Sequence, residues 1–147
     1  MATVSHQDDS RNIPDGAVSL VDCKFDRDHL GTLRAELGRQ AAAHGLIDRR
    51  QFNFVLAVNE IATNALRHGG GRGRLRLWQH DGSLWCQVSD DGQGIPPHCL
   101  EAVEGALPRT PGGHGLWLVR RLCDSVRIET GPDGTDILLR HGLPSAF

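Results

Sequence analysis

Residues 59–69 read Asn59-Glu60-Ile61-Ala62-Thr63-Asn64-Ala65-Leu66-Arg67-His68-Gly69. Ile61, Ala62, Ala65 and Leu66 continue an apolar set that begins with Phe52, Val55, Leu56 and Val58, all at helical spacing. Asp48 followed by Gln51 resembles a capping box and predicts the start of this helix; Gly69 predicts its end, in the C′ role. The apolar residues fill more than half of a helical wheel, so the helix is expected to be covered on most sides. Asn59 falls inside the apolar arc with no partner evident from sequence. Glu60, Asn64 and His68 stand four apart. At about 100° per residue they drift by only about 40° per step, and so share one narrow stripe with Asn53 and Ala57. A carboxylate, a carboxamide and an imidazole in line on such a helix are either a solvated strip or the polar floor of a ligand site.

Outward from this helix the chain divides into strands joined by hairpins. Arg74–His80 and Ser83–Ser89 flank Asp81-Gly82, a pair that favours the type I′ turn. Leu75 and Leu77, then Leu84, Cys86 and Val88, alternate as the strands of a one-faced sheet do. Val126–Thr130 and Thr135–Arg140 predict a closing hairpin around Pro132-Asp133-Gly134. Upstream, Ala17–Phe25 reads as a short strand. Leu30, Leu33, Leu37 and Ala41 then give a helix that Asp26 or Asp28 caps and Gly45 stops. Residues 98–106 read as a short helix, 107–114 as irregular, and 115–124 as a helix with Leu116, Val119 and Cys123 on one face. Hairpin-joined strands with the helices grouped apart argue an α+β fold. The expected architecture is a two-layer α/β sandwich, a mixed and mostly antiparallel sheet with helices on one face. Residues 1–16 read as a flexible tail and 17–147 as one domain.

The totals restrict the functional classes. With 147 residues, 39% hydrophobic and 23% charged, the chain is an ordinary globular length and composition. A formal charge of -2 gives no global basic field for nucleic acid or an anionic membrane. No apolar run reaches the roughly 18 residues of a membrane span, and Met1–Asp15 lacks the marks of a secretory signal, so a cytoplasmic location is expected. Cys23, Cys86, Cys99 and Cys123 form no CxxC pair and are expected to be packed, reduced thiols. The histidines form no HxxxH helix pair. Gly69-Gly70-Gly71-Arg72-Gly73-Arg74 has the look of an Arg-Gly nucleic-acid segment, but the turn from helix to hairpin is the favoured reading. Trp78 and Trp85 mark either a partner surface or ordinary cross-strand packing.

Two further stretches carry chemistry. Asp90-Asp91-Gly92-Gln93-Gly94-Ile95 directly follows a strand. Its alternating glycines let backbone approach a ligand closely, and a strand-end carboxylate can accept from an amino group such as that of adenine. Gly112-Gly113-His114-Gly115-Leu116 opens a helix, whose free amides and dipole favour phosphate. It lacks the Lys-Ser/Thr ending of a P-loop.

In this order, ExxxNxxxH on a helix, DxGxG after a strand and GxGL opening a helix resemble the N, G1 and G2 boxes of the Bergerat, or histidine-kinase-like, ATPases. Gly134-Thr135 matches a fourth recurring element, and the resemblance runs from about Phe25 to Arg140. It implies ATP and Mg²⁺ as cofactors. Asn64 would bind the Mg²⁺ that bridges the phosphates, and Glu60 would be the general base. Asp90 would accept from the adenine amino group with Thr135 close by, and Gly92, Gly94 and Ile95 would form the loop beneath the base. Gly113, Gly115 and the amides near Leu116 would hold phosphates, and His68 would shape the pocket. The segment between Pro96 and Gly112 would be the ATP lid.

Within that superfamily, Asn59–Gly69 is similar to the stand-alone anti-sigma-factor serine kinases of actinobacterial type, and only Lys24 among 16 basic residues is lysine, as a GC-rich genome would give. The part before Asn59 reads as a strand and one helix rather than the dimerising helical pair of whole histidine kinases. The resemblance implies phosphorylation of a serine on an anti-anti-sigma partner, sequestration of a sigma factor, and possible homodimers; no direct nucleic acid or membrane contact is implied. The other class of function is a module that binds ATP and controls a partner by contact alone. Two departures touch partner binding: Trp117 stands where many kinases have a second glycine, and Gly69-Gly70 replaces an Ala-Tyr pair. For the lid, hydrogen exchange across residues 97–113 is expected to slow when Mg-ATP is added; equal exchange with and without nucleotide would remove the lid assignment.

Overall fold

The computed structural model describes residues 13–101 and 114–144. Strand β1 (Val18–Asp26) leads through a 3₁₀ turn (Arg27–His29) into α1 (Leu30–Ala43), and α2 (Asp48–His68) follows. The hairpin β2 (Arg72–His80) and β3 (Ser83–Asp90) precedes α3 (Pro97–Glu101) and α4 (His114–Leu122), and β4 (Ser125–Gly131) and β5 (Gly134–Gly142) close the fold. The flexible tail expected over residues 1–16 lies outside the described residues for positions 1–12, as does the expected lid from residue 102 to 113, Gly113 included.

Local chemistry sets the helix ends. The Asp26 carboxylate accepts the His29 amide at 3.2 Å and caps the turn into α1. At the other end Leu46 donates to the Ala41 carbonyl and Gly45 to that of Ala42, with Gly45 at φ +97. That is a Schellman stop, and it needs a residue without Cβ. The α2 start departs from expectation. Ile47 is the N-cap and no side chain caps the helix. The Gln51 amide instead donates to the Gly38 carbonyl of α1 at 2.8 Å, which couples the two helices at the cost of the capping box. At the α2 end Gly69 has φ -107, outside the left-handed region; Gly70 and Gly71 take the positive φ values. Asn59 finds its partner in α1, where Arg34 Nη1 donates to its Oδ1 at 3.4 Å.

The five strands run in the order β1-β2-β3-β5-β4, and every pairing is antiparallel. Asp81 and Gly82 both have positive φ, as a type I′ hairpin requires. Leu75, Leu77, Leu84, Cys86, Val88, Ile137 and Leu139 are buried on the face that the helices cover. This is the α+β two-layer sandwich that the pattern of elements predicts. On the opposite face Trp78 and Trp85 are register partners with rings stacked at 6.5 Å, and Arg140 lies 5.9 Å above Trp85. Trp78 is buried, so the pair is cross-strand packing and its ring is not offered to a partner. All four cysteines are free, Cys86 and Cys99 buried and the other two half-buried. Burial pushes the Cys123 thiol up to about 12 and raises that of Cys86. No helix among the described residues is long and apolar enough to cross a membrane.

Helix α2 is the centre of the core, packing on α1, α4 and the sheet. Its buried line is Phe54, Ala57, Val58, Ile61, Ala62 and Ala65. Phe54 replaces Phe52 as the aromatic anchor: it is fully buried, edge-on to the His141 ring at 6.1 Å, while Phe52 is 65% exposed. Phe54→Ala is expected to cost about 3–5 kcal/mol of stability in denaturant unfolding, the usual loss for a large aromatic in a packed core. Phe52→Ala is expected to stay within about 0.5 kcal/mol. Equal losses would refute this orientation of the helix.

Candidate nucleotide site

The site is built where the end of α2 meets the end of β3. A Cβ on Gly69 would lie 2.4 Å from Asp90 Cγ, and one on Gly92 would lie 2.2 Å from the His68 carbonyl oxygen. Neither position has room for any side chain. The two glycines therefore serve one contact, in which the last turn of α2 is seated directly on the strand-end carboxylate and its loop.

Asp90 folds its carboxylate back so that Oδ1 accepts the Gly92 amide at 2.9 Å. Burial raises its pKa above the ordinary carboxylate value; nearby Asp136 and Asp91 add to the rise, while the Gly92 and Thr135 amides oppose it. Thr135 is its register partner on β5. The loop is fastened on its far side by a residue the sequence did not single out. Thr130 Oγ1 accepts the Ile95 amide at 2.9 Å and lies 2.6 Å from Thr135 Oγ1. A Cβ on Gly94 would meet the Gly131 carbonyl at 2.5 Å, so the loop passes against the β4–β5 hairpin with no space to spare. The antiparallel register Thr130↔Thr135 places the two hydroxyls together. One Thr in a short strand carries no sequence signal for this; the only hint was its place opposite Thr135 across the hairpin.

The side expected to take the phosphates is formed by α2 and α4. Gly115, in the first turn of α4, faces Glu60: a Cβ there would sit 3.4 Å from the carboxylate carbon and from both its oxygens. Leu116 is buried and anchors that turn. Asn64 lies one helical turn beyond Glu60, and its Nδ2 is buried with no hydrogen-bond partner among the described residues. His68, half-buried, has a lowered pKa, chiefly through burial and secondarily through Arg67 and His98, which favours its neutral form. The fold thus brings His68, Asp90, Gly92, Gly94, Ile95 and Thr135 together where the end of α2 meets the β3 loop and β5, and sets Gly115 against Glu60, with Asn64 between these places along α2 and Leu116 in the core behind the α4 turn.

These residues fit Mg-nucleotide. A buried amide nitrogen without a partner among the described residues leaves a polar group that a ligand can satisfy, since such groups are otherwise paired. Which end of the carboxamide faces the gap is an assignment that rotation reverses. Carboxamide and carboxylate oxygens are hard donors of the kind Mg²⁺ takes, and Mg²⁺ is usually held by one or two side chains plus substrate phosphates. The described residues contain no group of three or more His, Cys, Asp or Glu placed to hold a metal ion.

Residues 23–141 match the histidine kinase-like ATPase domain family. The chain belongs to that family. Nucleotide use goes with the membership, and the match runs from within β1 to β5. The chain is 30% identical over 87 residues to the signal transduction histidine-protein kinase AfsQ2 of Streptomyces coelicolor, covering 56% of this chain and 16% of that protein. Its fold is similar to the RsbU and RsbW domains of Rv1364c from Mycobacterium tuberculosis, with a TM-score of 0.62 at 21% identity over 88% of this chain and 32% of that one. The mycobacterial sensor histidine kinase MprB gives 0.54 at 22% identity, over 84% of this chain and 98% of that one. The ATPase domain thus spans only a small part of AfsQ2 and about a third of the Rv1364c chain.

In this histidine kinase-like ATPase domain the raised pKa of Asp90 has a consequence for binding. Asp90→Asn is expected to weaken Mg-ATP by roughly 1–3 kcal/mol at neutral pH, because half of the acceptor becomes a donor. A carboxyl with a raised pKa protonates at higher pH than an exposed aspartate, and the protonated form has also lost an acceptor. The advantage of the wild type over Asp90→Asn should therefore shrink as pH falls, beginning above the ordinary aspartate range of about 3.9. Calorimetric titration across pH is the check; equal affinity of the two proteins at neutral pH would dismiss Asp90 as the base contact.

Proposed function

We propose that this domain is an ATP-dependent serine kinase of the anti-sigma type, which phosphorylates a small anti-anti-sigma partner, binds a sigma factor when that partner is unavailable, and acts as a homodimer in the cytoplasm. The observation that supports it best is the placement of Glu60. Its carboxylate lies against Gly115 at the opening turn of α4, one turn of α2 before Asn64. It therefore stands on the phosphate side of the site and away from Asp90. A carboxylate there is suited to take the proton of an attacking hydroxyl, while the amides of the α4 start offer positive dipole to the phosphates. A pure binding module has less need of a base in that position. The likeness of residues 59–69 to the anti-sigma serine kinases directs the reading to serine, and an RsbW domain is among the structural neighbours.

On this reading Asn64 would hold Mg²⁺, which would supply positive charge to offset that of the phosphates. Glu60 and the α4 turn position the acceptor hydroxyl and the phosphoryl group, and Asp90 with Thr135 holds the base. Glu60→Gln keeps the shape and removes the basicity. It is expected to bind Mg-ATP normally and to transfer phosphate to a captured partner at least about a hundredfold more slowly. The assay uses radiolabelled ATP with the partner pulled down from the source cell, wild type beside mutant. An acid-stable label on serine is expected. An acid-labile label would move the domain to histidine phosphorylation, undiminished transfer by the mutant would remove Glu60 as the base, and ATP-dependent capture with no transfer by either protein would make it a binding module.

A further inference from the structure

Either hydroxyl can be the donor in the contact between Thr130 and Thr135, and its surroundings bear on the choice. Both residues are buried, at 3% and 5% exposure. A hydroxyl offers one proton and two lone pairs. Thr130 Oγ1 is already the acceptor of the Ile95 N–H, which can only donate. Among the described residues, the acceptor within reach of the Thr130 proton is Thr135 Oγ1, at 2.6 Å. In either direction one buried hydroxyl proton lacks an acceptor among the described residues; a ligand acceptor beside Thr135 satisfies both when Thr130 donates to Thr135. The Thr135 oxygen then receives a proton and its own hydroxyl hydrogen must point elsewhere. No described residue accepts it. On the neighbouring strand, in register with Thr135, stands the carboxylate of Asp90, which carries no proton when ionised and so only accepts.

We propose that Thr130 is a positioning residue for base selection: the relay from Ile95 N–H to Thr130 hydroxyl to Thr135 hydroxyl fixes Thr135 as a donor beside the acceptor Asp90, and this donor–acceptor pair selects 6-aminopurines over 6-oxopurines. A 6-aminopurine presents an amino donor and an unprotonated N1 acceptor, which match the pair. A 6-oxopurine presents a carbonyl acceptor and a protonated N1, which oppose it at both positions. The inference rests on Asp90 and Thr135 holding the base, but it concerns a residue that touches neither base nor phosphate. Thr130 acts through the polarity of its neighbour and through its hold on the loop at Ile95.

ATP and ITP differ at this edge of the purine alone, so the test is calorimetric titration of Mg-ATP and Mg-ITP into the wild type, Thr130→Val, Thr130→Ser, Thr135→Val and the double variant Thr130→Val/Thr135→Val. The wild type is expected to prefer ATP. Thr130→Val frees the Thr135 hydroxyl to turn either way, and the ATP-to-ITP ratio should fall about tenfold, the scale of one directed hydrogen bond. Thr130→Ser should retain the ratio. In the Thr135→Val background, Thr130→Val should change the ratio no further. A packing role alone would weaken both nucleotides equally and leave the ratio intact; that result for Thr130→Val overturns the relay while leaving the nucleotide site standing. A wild type that binds ATP and ITP alike overturns base reading by Asp90 and Thr135, and the relay with it. Circular dichroism checks folding, and Thr130→Ala carries the same comparison if the valine variant does not fold.

Discussion

The seating of the α2 terminus on the end of β3 is the constraint on which the site depends. Gly69 faces Asp90 and Gly92 faces the His68 carbonyl, each at a distance that would place a Cβ inside its neighbour. Protein interiors are packed too densely to absorb such an overlap without displacing an element. The contact sets the distance and angle between helix and sheet. With them it sets where the polar stripe of α2 stands relative to the strand-end carboxylate. Asp90 then gains a partly desolvated position that raises its pKa, held open by two backbone amides that favour its charge.

Topology supplies the other half. The chain leaves β3, crosses to the far edge to form β4, and returns as β5 between them. This return brings Thr135 beside Asp90, although the two are separated in sequence by α3, α4 and β4. It also brings Thr130 under the loop at Ile95. Helix α4 lies along α2 in the same crossing, which sets Gly115 against Glu60. One helix, α2, thus faces the loop after β3 at its end and the opening turn of α4 at its middle.

The helix-free face of the sheet shows a different economy. It carries a bidentate Arg74–Asp22 pair at 2.9 and 2.8 Å, an Arg76–Gln87 contact and the stacked tryptophans. The Arg74 guanidinium holds the Asp22 carboxyl below its usual range. Exposed pairs of this kind contribute little to stability. The stability of the fold therefore rests on the other layer, where Phe54, Ile61, Leu75, Leu77, Leu84 and Leu139 are fully buried.

The chain order of the elements, the alternation of the hairpin strands, the Asp81-Gly82 turn and the three glycine-bearing motifs are all local properties, and they were legible residue by residue. The α+β class and the stripe of Glu60, Asn64 and His68 followed from them, because periodicity and turn chemistry act over a few neighbouring residues. What escaped that reading was non-local. The choice of Phe54 over Phe52, the diversion of Gln51 to Gly38, the Arg34 partner of Asn59 and the close-packed reason for Gly69 each depend on what another element places alongside. Thr130 is the plainest case. The sequence by itself determined which elements form and which residue types line the motifs. Only the tertiary structure decided that the Thr130 hydroxyl meets both Ile95 and Thr135, because a hydrogen bond between separate elements exists only once packing has fixed their distance.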